Sequence, residues 1–366
     1  MSTPKIPLRV LAWPSGAPQE LNPYVRLMYS AFVPPAANII AYKPLQLNVQ
    51  MADVFHVHWP EGIFNGKLGG IAPLAALKAE RVLQTARRIR RDGGVVVLTA
   101  HNAMPHMHLS GWRRTLWQNY HPRLLREASL LVGLTEGGLA AYRAANPAST
   151  DIAGCVVPHP HFKTTYPPPP SRRVARLQLG LPADRYIIGM IGSMRRSKQI
   201  GEAIRTFRQT ANGNETLLVL GSCDDELWNE LLQEAGDDKA VRLQRGALND
   251  LELATAFGAI DVCLLNQGTT LNSSTALLAI SFGVPVIAPN VGSMPDLKAF
   301  CGESWISLFT APIAPTALRQ ILDDLPKGNQ PSCDAIDELG PQHLSAKLLD
   351  QFRQTLNLTN AKRTDL

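Results

Sequence analysis

Short, continuous apolar runs alternate with longer stretches of helical spacing along the whole chain. In the first half the runs are LRVLAW (8–13), DVFHVHW (53–59), GVVVLTA (94–100), SLLVGLT (129–135) and GCVVPH (154–159). In the second half they are YIIGMIG (186–192), TLLVLGS (216–222), IDVCLLN (260–266) and GVPVIAP (283–289), and segments such as 71–91 and 223–235 carry helical spacing between runs. Strands alternating with helices predict parallel sheets covered on both faces. Runs apolar throughout, rather than at every second position, agree with strands buried on both sides. The fold class expected is α/β.

The pattern breaks at PHPHFKTTYPPPPSRR (158–173), where four consecutive prolines exclude a helix interior or a central strand. A semi-rigid connector fits that composition. The expected division is a domain over 1–160, a Pro-rich linker over 161–172, a second domain over 173–340, and a terminal helix in 341–357 with a frayed polar tail to 366. Two Rossmann-like, doubly wound domains then face each other across a cleft, and 366 residues suit two such cores better than one. In these folds ligands bind outside the carboxyl ends of the strands, so the loops that follow strands carry the chemistry.

Charge sharpens the division. Residues 1–165 hold 17 Lys and Arg against 8 Asp and Glu, whereas the remainder is mildly acidic, within a net charge of +6. The basic half suits an anionic partner, whether nucleic acid, an anionic membrane surface or a phosphate-bearing substrate. The five cysteines are odd in number and form no CxxC pair, which argues against a disulfide frame or a zinc site. No run of eighteen apolar residues suggests a membrane span, and the N-terminal stretch lacks the apolar core of a secretory signal, so a cytoplasmic location is expected.

Two stretches of the second half stand out. In GTTLNSSTALLAISFGVPVIAP (268–289), Asn272, Ser273, Ser274 and Thr275 cluster at a helix start that follows a strand. A helix start has unpaired N–H groups and a partial positive charge, which suits a phosphate. Ordinary N-capping by Ser and Asn is the plain alternative. In GMIGSMRRSKQIGEA (189–203), Gly192 permits a tight turn after the first strand, and Arg195 and Lys198 can supply a fork and a point charge to phosphate oxygens. Arg196 reads as a solvated neighbour.

GSMRRSKQI followed about seventy residues later by NSSTALLAISFGVPVIAP resembles the C-terminal domain of GT-B glycosyltransferases, near family four and the bacterial exopolysaccharide transferases. In the first half GAPQELNPYVRLMYSAF (16–32), DVFHVHWPEG and VVLTAHNAMPH resemble the glycine loop and acceptor-side strands of that fold. The resemblance implies a metal-independent enzyme without cofactor that moves a hexose from a nucleotide-sugar donor. Gly16, Gly192, Arg195, Lys198, Asn272, Ser273, Ser274 and Thr275 would bind that donor. Retaining members carry two glutamates where this chain has Thr270 and Leu278. The acid-free pattern is more similar to inverting β-mannosyltransferases of xanthan-type assembly, which implies GDP-mannose as donor and a lipid-linked oligosaccharide as acceptor. An epimerase of the same shape, or a nonenzymatic nucleotide-sugar-binding relative, are the rival readings.

An inverting transferase needs a base for the acceptor hydroxyl. His58 and Glu61 follow one first-half strand and His101 follows another; the residues alone leave all three open. His56 shares the strand face of His58 and is expected deeper. His106 and His108 read as loop residues. Asp224 and Asp225 open a helix and read as N-capping, so no metal site is expected. Segments 77–94 and 111–128 place Arg beside apolar residues at helical spacing, and Trp112, Arg113, Arg114 and Trp117 are expected to meet an anionic membrane surface. That implies a peripheral position on the inner face of the cell membrane and no nucleic-acid partner.

Overall fold

The computed structural model describes residues 7–15, 23–46, 51–65, 70–105, 109–268, 271–325 and 333–364. They form two compact units, Met1–Pro160 joined by Leu339–Leu366, and His161–Glu338.

The first unit holds β1 (Leu8–Trp13), β2 (Ala37–Ala41), β3 (Val54–Val57), β4 (Val95–Thr99), β5 (Leu130–Gly133) and β6 (Gly154–Val156) in one sheet of order β2-β1-β3-β4-β5-β6, with every pairing parallel. Its helices are α1 (Pro23–Met28), α2 (Ala72–Arg91), α3 (Gly111–Glu127) and α4 (Glu136–Ala145). The second unit begins its helices with α5 (Arg172–Gln178), followed by β7 (Tyr186–Ile191), α6 (Ile200–Thr210), β8 (Glu215–Gly221), α7 (Asp225–Ala235), β9 (Val241–Arg245) and α8 (Asp250–Ala259). It continues through β10 (Val262–Leu264), α9 (Ser274–Ser281), β11 (Val286–Pro289), α10 (Met294–Cys301), β12 (Ile306–Phe309) and α11 (Pro315–Asp324). Its sheet has the order β12-β11-β10-β7-β8-β9 and is again parallel.

The burial of the strands explains which were visible in the sequence. All residues of β3, β4, β5, β8, β10 and β11 are buried, and each Val or Leu among them contributes about 1.5–3 kcal/mol relative to exposure. The three strands absent from the apolar-run pattern, β2, β9 and β12, all lie at sheet edges. An edge strand is partly exposed and tolerates polar residues; β9 reads VRLQR and is fully buried only at Val241. On the helices the buried positions recur at three and four residues, as Ala75, Ala79, Val82, Leu83, Ala86 and Ile89 do on α2.

The terminal helix is longer than its apolar core suggests. α12 (Pro341–Thr364) continues through the stretch expected to fray. It packs on the first unit: Ser345 Oγ accepts from the Ala31 amide at 2.8 Å, and Phe352 meets Phe32 edge-on at 5.6 Å. At the other junction the Phe162 amide donates to Ser281 Oγ at 3.0 Å within the second unit.

Each sheet has one point where strand order reverses, between β1 and β3 and between β7 and β10. Crevices at such points receive ligands in doubly wound folds.

Candidate functional site

In the first unit β3 and β4 are neighbours in register, with Val57 opposite Leu98. The residues just past their carboxyl ends are therefore brought together. His58 follows β3, Pro60–Phe64 forms a short 3-10 turn carrying Glu61 near its start, and His101 and Asn102 follow β4. His58, Trp59, Glu61, His101, Asn102 and Trp117 line one small pocket. The Trp59 ring stacks on His101, with centroids 4.2 Å apart and planes 22° off parallel.

A line of hydrogen bonds runs through the histidines. His56 Nε2 meets Thr99 Oγ1 at 2.8 Å and His56 Nδ1 meets the Tyr29 hydroxyl at 2.7 Å. The same hydroxyl meets His58 Nε2 at 3.0 Å, and His58 Nδ1 meets His101 Nε2 at 3.0 Å. His56 is the deepest of the three, as its strand position implies, and His101 is the most exposed at 8%. Burial lowers the His56 pKa well below the usual imidazole value, helped by the neighbouring His58 and His101, and burial alone pushes His58 down to about 3. Both ring nitrogens of His58 are committed to protein partners, so this side chain has no atom with which to take a substrate proton. Burial raises the Glu61 carboxyl above its ordinary range; its own backbone amide and the Asn102 side chain, whose Nδ2 donates at 3.2 Å, oppose that shift.

In the second unit the turn after β7 is built on backbone geometry. Gly192 sits at φ 101°, where a Cβ is strained. Arg195 precedes a 3-10 turn over Arg196–Lys198, and Gln199 adopts a left-handed φ of 50° before α6 begins. Arg195 and Lys198 are thus separated by a tight turn and not by a turn of α-helix. Arg195 is exposed. Lys198 is half-buried in a pocket with Gly192, Leu264, Asn266 and Gln267. Burial lowers the Lys198 pKa, with Cys263 opposing and Arg195 reinforcing the shift. Arg196 turns away to pair with Glu230 at 2.6 Å and Glu226 at 3.2 Å.

β10 adjoins β7, so the stretch leading to α9 starts beside the turn of Arg195 and Lys198. Asn266, just past β10, ties the two together: its Nδ2 donates to the Gln199 carbonyl at 3.1 Å. Its Oδ1 is buried and meets no hydrogen-bond partner among the described residues. Ser273 caps α9, its Oγ accepting from the Ala276 amide at 3.3 Å. Ser274 is exposed, Asn272 and Thr275 are half-buried, and Leu278 lies half-buried further along the helix.

Gly16, Thr270, His106 and His108 lie outside the described residues. Asp224 caps α7 by accepting from the Leu227 amide at 2.8 Å, and among the described residues no group of three or more His, Cys, Asp or Glu could hold a metal ion. One surface expectation is corrected. Trp117 does not face outward: it is 6% exposed, stacks on His121 with centroids 4.4 Å apart and lines the pocket of His58 and His101. Trp112 is 37% exposed, with the Arg113 guanidinium 5.0 Å over its ring, and Arg114 is exposed. Sequence reasoning missed Tyr29, Thr99, Asn102 and Asn266. Each contributes through a partner distant in the chain, and only the Asn102 position, next to His101, offered any local signal.

No protein-family model matches the chain. Over 322 residues it is 24% identical to the GDP-mannose:glycolipid 4-beta-D-mannosyltransferase of Xanthomonas campestris pv. campestris, covering 86% of this chain and 84% of that relative. Among solved structures it is similar to sucrose-phosphate synthase from Thermosynechococcus elongatus, with a TM-score of 0.63, 17% identity and 98% of both chains covered. It is also similar to Anabaena HepE in complex with UDP and glucose, with a TM-score of 0.59, 14% identity, and 96% and 99% of the two chains covered. The two parallel-sheet Rossmann-like units have the fold of these proteins.

Proposed function

We propose that this chain, a GT-B glycosyltransferase, moves mannose from GDP-mannose, with inversion, to a saccharide hydroxyl of a lipid-diphosphate-linked acceptor in bacterial exopolysaccharide assembly. The observation that carries the reading is the likeness to a mannosyltransferase acting on a glycolipid, which extends over 86% of the chain. The absence of a carboxylate along α9 agrees with it, since Leu278 cannot accept a hydrogen bond from a ribose hydroxyl.

The donor diphosphate is held in the second unit. The Gly192 turn lets backbone approach phosphate, Arg195 and Lys198 supply positive charge, and the capped start of α9 adds N–H donors. Charge on the leaving diphosphate grows as the sugar bond breaks, so these groups favour the transition state over the bound donor. In the first unit Glu61 or His101 takes the acceptor proton. Trp112, Arg113 and Arg114 on α3 hold the enzyme against the inner face of the membrane, where a lipid-linked acceptor resides. Among the described residues no helix is long and apolar enough to cross that membrane.

The test is transfer by the purified protein to a lipid-diphosphate-linked saccharide, with GDP-mannose and UDP-glucose as competing donors and the product anomer read by NMR. A β-linked mannoside is expected; an α-linked product, or no transfer from GDP-mannose, sinks the proposal. A retaining enzyme using a UDP-hexose is the second reading, favoured by the likeness to HepE bound to UDP and glucose. A thermal-shift series with GDP and UDP separates the two, because a ligand raises stability according to its affinity.

A further inference from the structure

Among the described residues Gln199 is the only one other than glycine with a positive φ. Its φ of 50° and ψ of 42° lie in the left-handed region, which a residue with a Cβ occupies about tenfold less readily than glycine does. The reversal at Gln199 separates the 3-10 turn of Arg196–Lys198 from α6. A right-handed Gln199 would run that turn straight into α6. The lengthened helix would then carry the Lys198 side chain round its axis, away from the cavity that Lys198 lines with Gly192.

The Gln199 side chain is exposed, so its burial does not hold the strained backbone. The carbonyl is held instead. It accepts from the Ala203 amide at 3.1 Å, the bond that opens α6, and from Asn266 Nδ2 at 3.1 Å. A right-handed Gln199 could keep the first of these bonds. Only the second reaches Gln199 from outside the turn and its helix. Asn266 is 1% exposed, follows an interior strand of the sheet and lines the same small cavity as Lys198. A carbonyl only accepts, so the Asn266 amide is fixed with its Nδ2 toward Gln199.

We infer that Asn266 is a positioning residue, whose buried amide holds Gln199 in the left-handed conformation and so keeps Lys198 turned toward the donor diphosphate. The link to the diphosphate rests on the proposed transferase; the hold on Gln199 does not.

The hold is read without ligand, from the backbone chemical shifts of residue 199 in isotope-labelled protein. The wild type should show left-handed values, and Asn266→Ala should move them toward right-handed ones. Unchanged shifts overturn the inference. Asn266→Leu, close to Asn in volume and unable to donate, should act in the same way and replaces the alanine variant if that fails to fold. The link to the diphosphate is read by calorimetric titration with GDP and with UDP, using wild type, Asn266→Ala, Gln199→Gly and the double variant. With glutamine at position 199, Asn266→Ala should weaken binding of the preferred nucleotide about tenfold. With glycine there, which enters the left-handed region freely, the same substitution should change binding little. An equal loss in both backgrounds would show that Asn266 does not act through Gln199. Failure of the wild type to bind either nucleotide would overturn the link to the diphosphate, while the shifts judge the hold on Gln199 by themselves.

Discussion

A Cβ built on Gly221 would lie 1.9 Å from the carbonyl oxygen of Gly192. The end of β8 therefore runs in contact with the turn that leaves β7, and the obstructing atoms are backbone, which cannot swing aside. Gly221→Ala should force the Gly192 turn outward, lowering stability by about 1–3 kcal/mol and weakening nucleotide-sugar binding. Gly246→Ala, where a Cβ meets nothing within 4 Å, serves as the control. Denaturant midpoints and donor titrations of both variants check this; equal behaviour would mean that the contact does not shape the turn.

Arg195 and Lys198 are expected to act on the departing diphosphate. Removing such a charge typically lowers turnover about 100-fold or more. Arg195→Ala and Lys198→Ala should do so with a smaller effect on donor affinity. Arg195→Lys should recover only part of the loss, because an ammonium lacks the guanidinium fork. Arg196→Ala should change turnover little, since Arg196 pairs with Glu226 and Glu230. Steady-state kinetics of the four variants is the measurement, and indistinguishable Arg195→Ala and Arg196→Ala variants would refute the assignment.

The two tryptophans of α3 should separate cleanly. Trp112→Ala should weaken binding to anionic vesicles and leave the fold intact, whereas Trp117→Ala should cost about 3–5 kcal/mol of stability by opening a cavity. Reversing charge at Arg113 and Arg114 should weaken vesicle binding roughly tenfold or more, at about 1 kcal/mol per basic residue. Added salt should have the same direction of effect. Co-sedimentation with anionic and neutral vesicles reads both, and equal binding to the two kinds would count against a membrane role for this face.

The buried histidines should make the first unit sensitive to acid. An unfolded histidine titrates near 6.5. Burial pushes His121 and His159 down to about 4 and His58 to about 3. The folded state thus binds fewer protons than the unfolded chain below pH 6.5. Stability should be full above that value and fall as pH drops from 6.5 toward 4, by about 1.4 kcal/mol per pH unit for each such histidine. Denaturation midpoints between pH 8 and 5 measure the slope, and His121→Phe should reduce it by one proton. A flat profile across that range would contradict the neutral state of these rings.

The central strands were legible because they are buried on both faces. VVVLT and TLLVLG can satisfy only the middle of a parallel sheet, whatever surrounds them. Three of the four edge strands were not legible; VRLQR, for one, meets both solvent and sheet and shows no single pattern. At the turn after β7, Gly192, Arg195 and Lys198 could be read together because seven residues contain them all. Asn266 could not, because its bond to the Gln199 carbonyl spans 67 positions and leaves no periodic trace.

The sequence by itself determined the alternation of strands and helices, the positions of the strand-following loops and the basic character of the first half, since burial periodicity and charge are local properties. Tertiary structure decided which side of α3 meets water: Trp112 and Trp117 are equally apolar, and only packing within the first unit buries the second. It also decided the roles among the histidines. His56, His58 and His101 carry the same ring, but neighbouring parallel strands and Tyr29 from another element join them in one line. A histidine's chemistry depends on which of its nitrogens holds the proton, and that is set by partners the chain brings together only on folding.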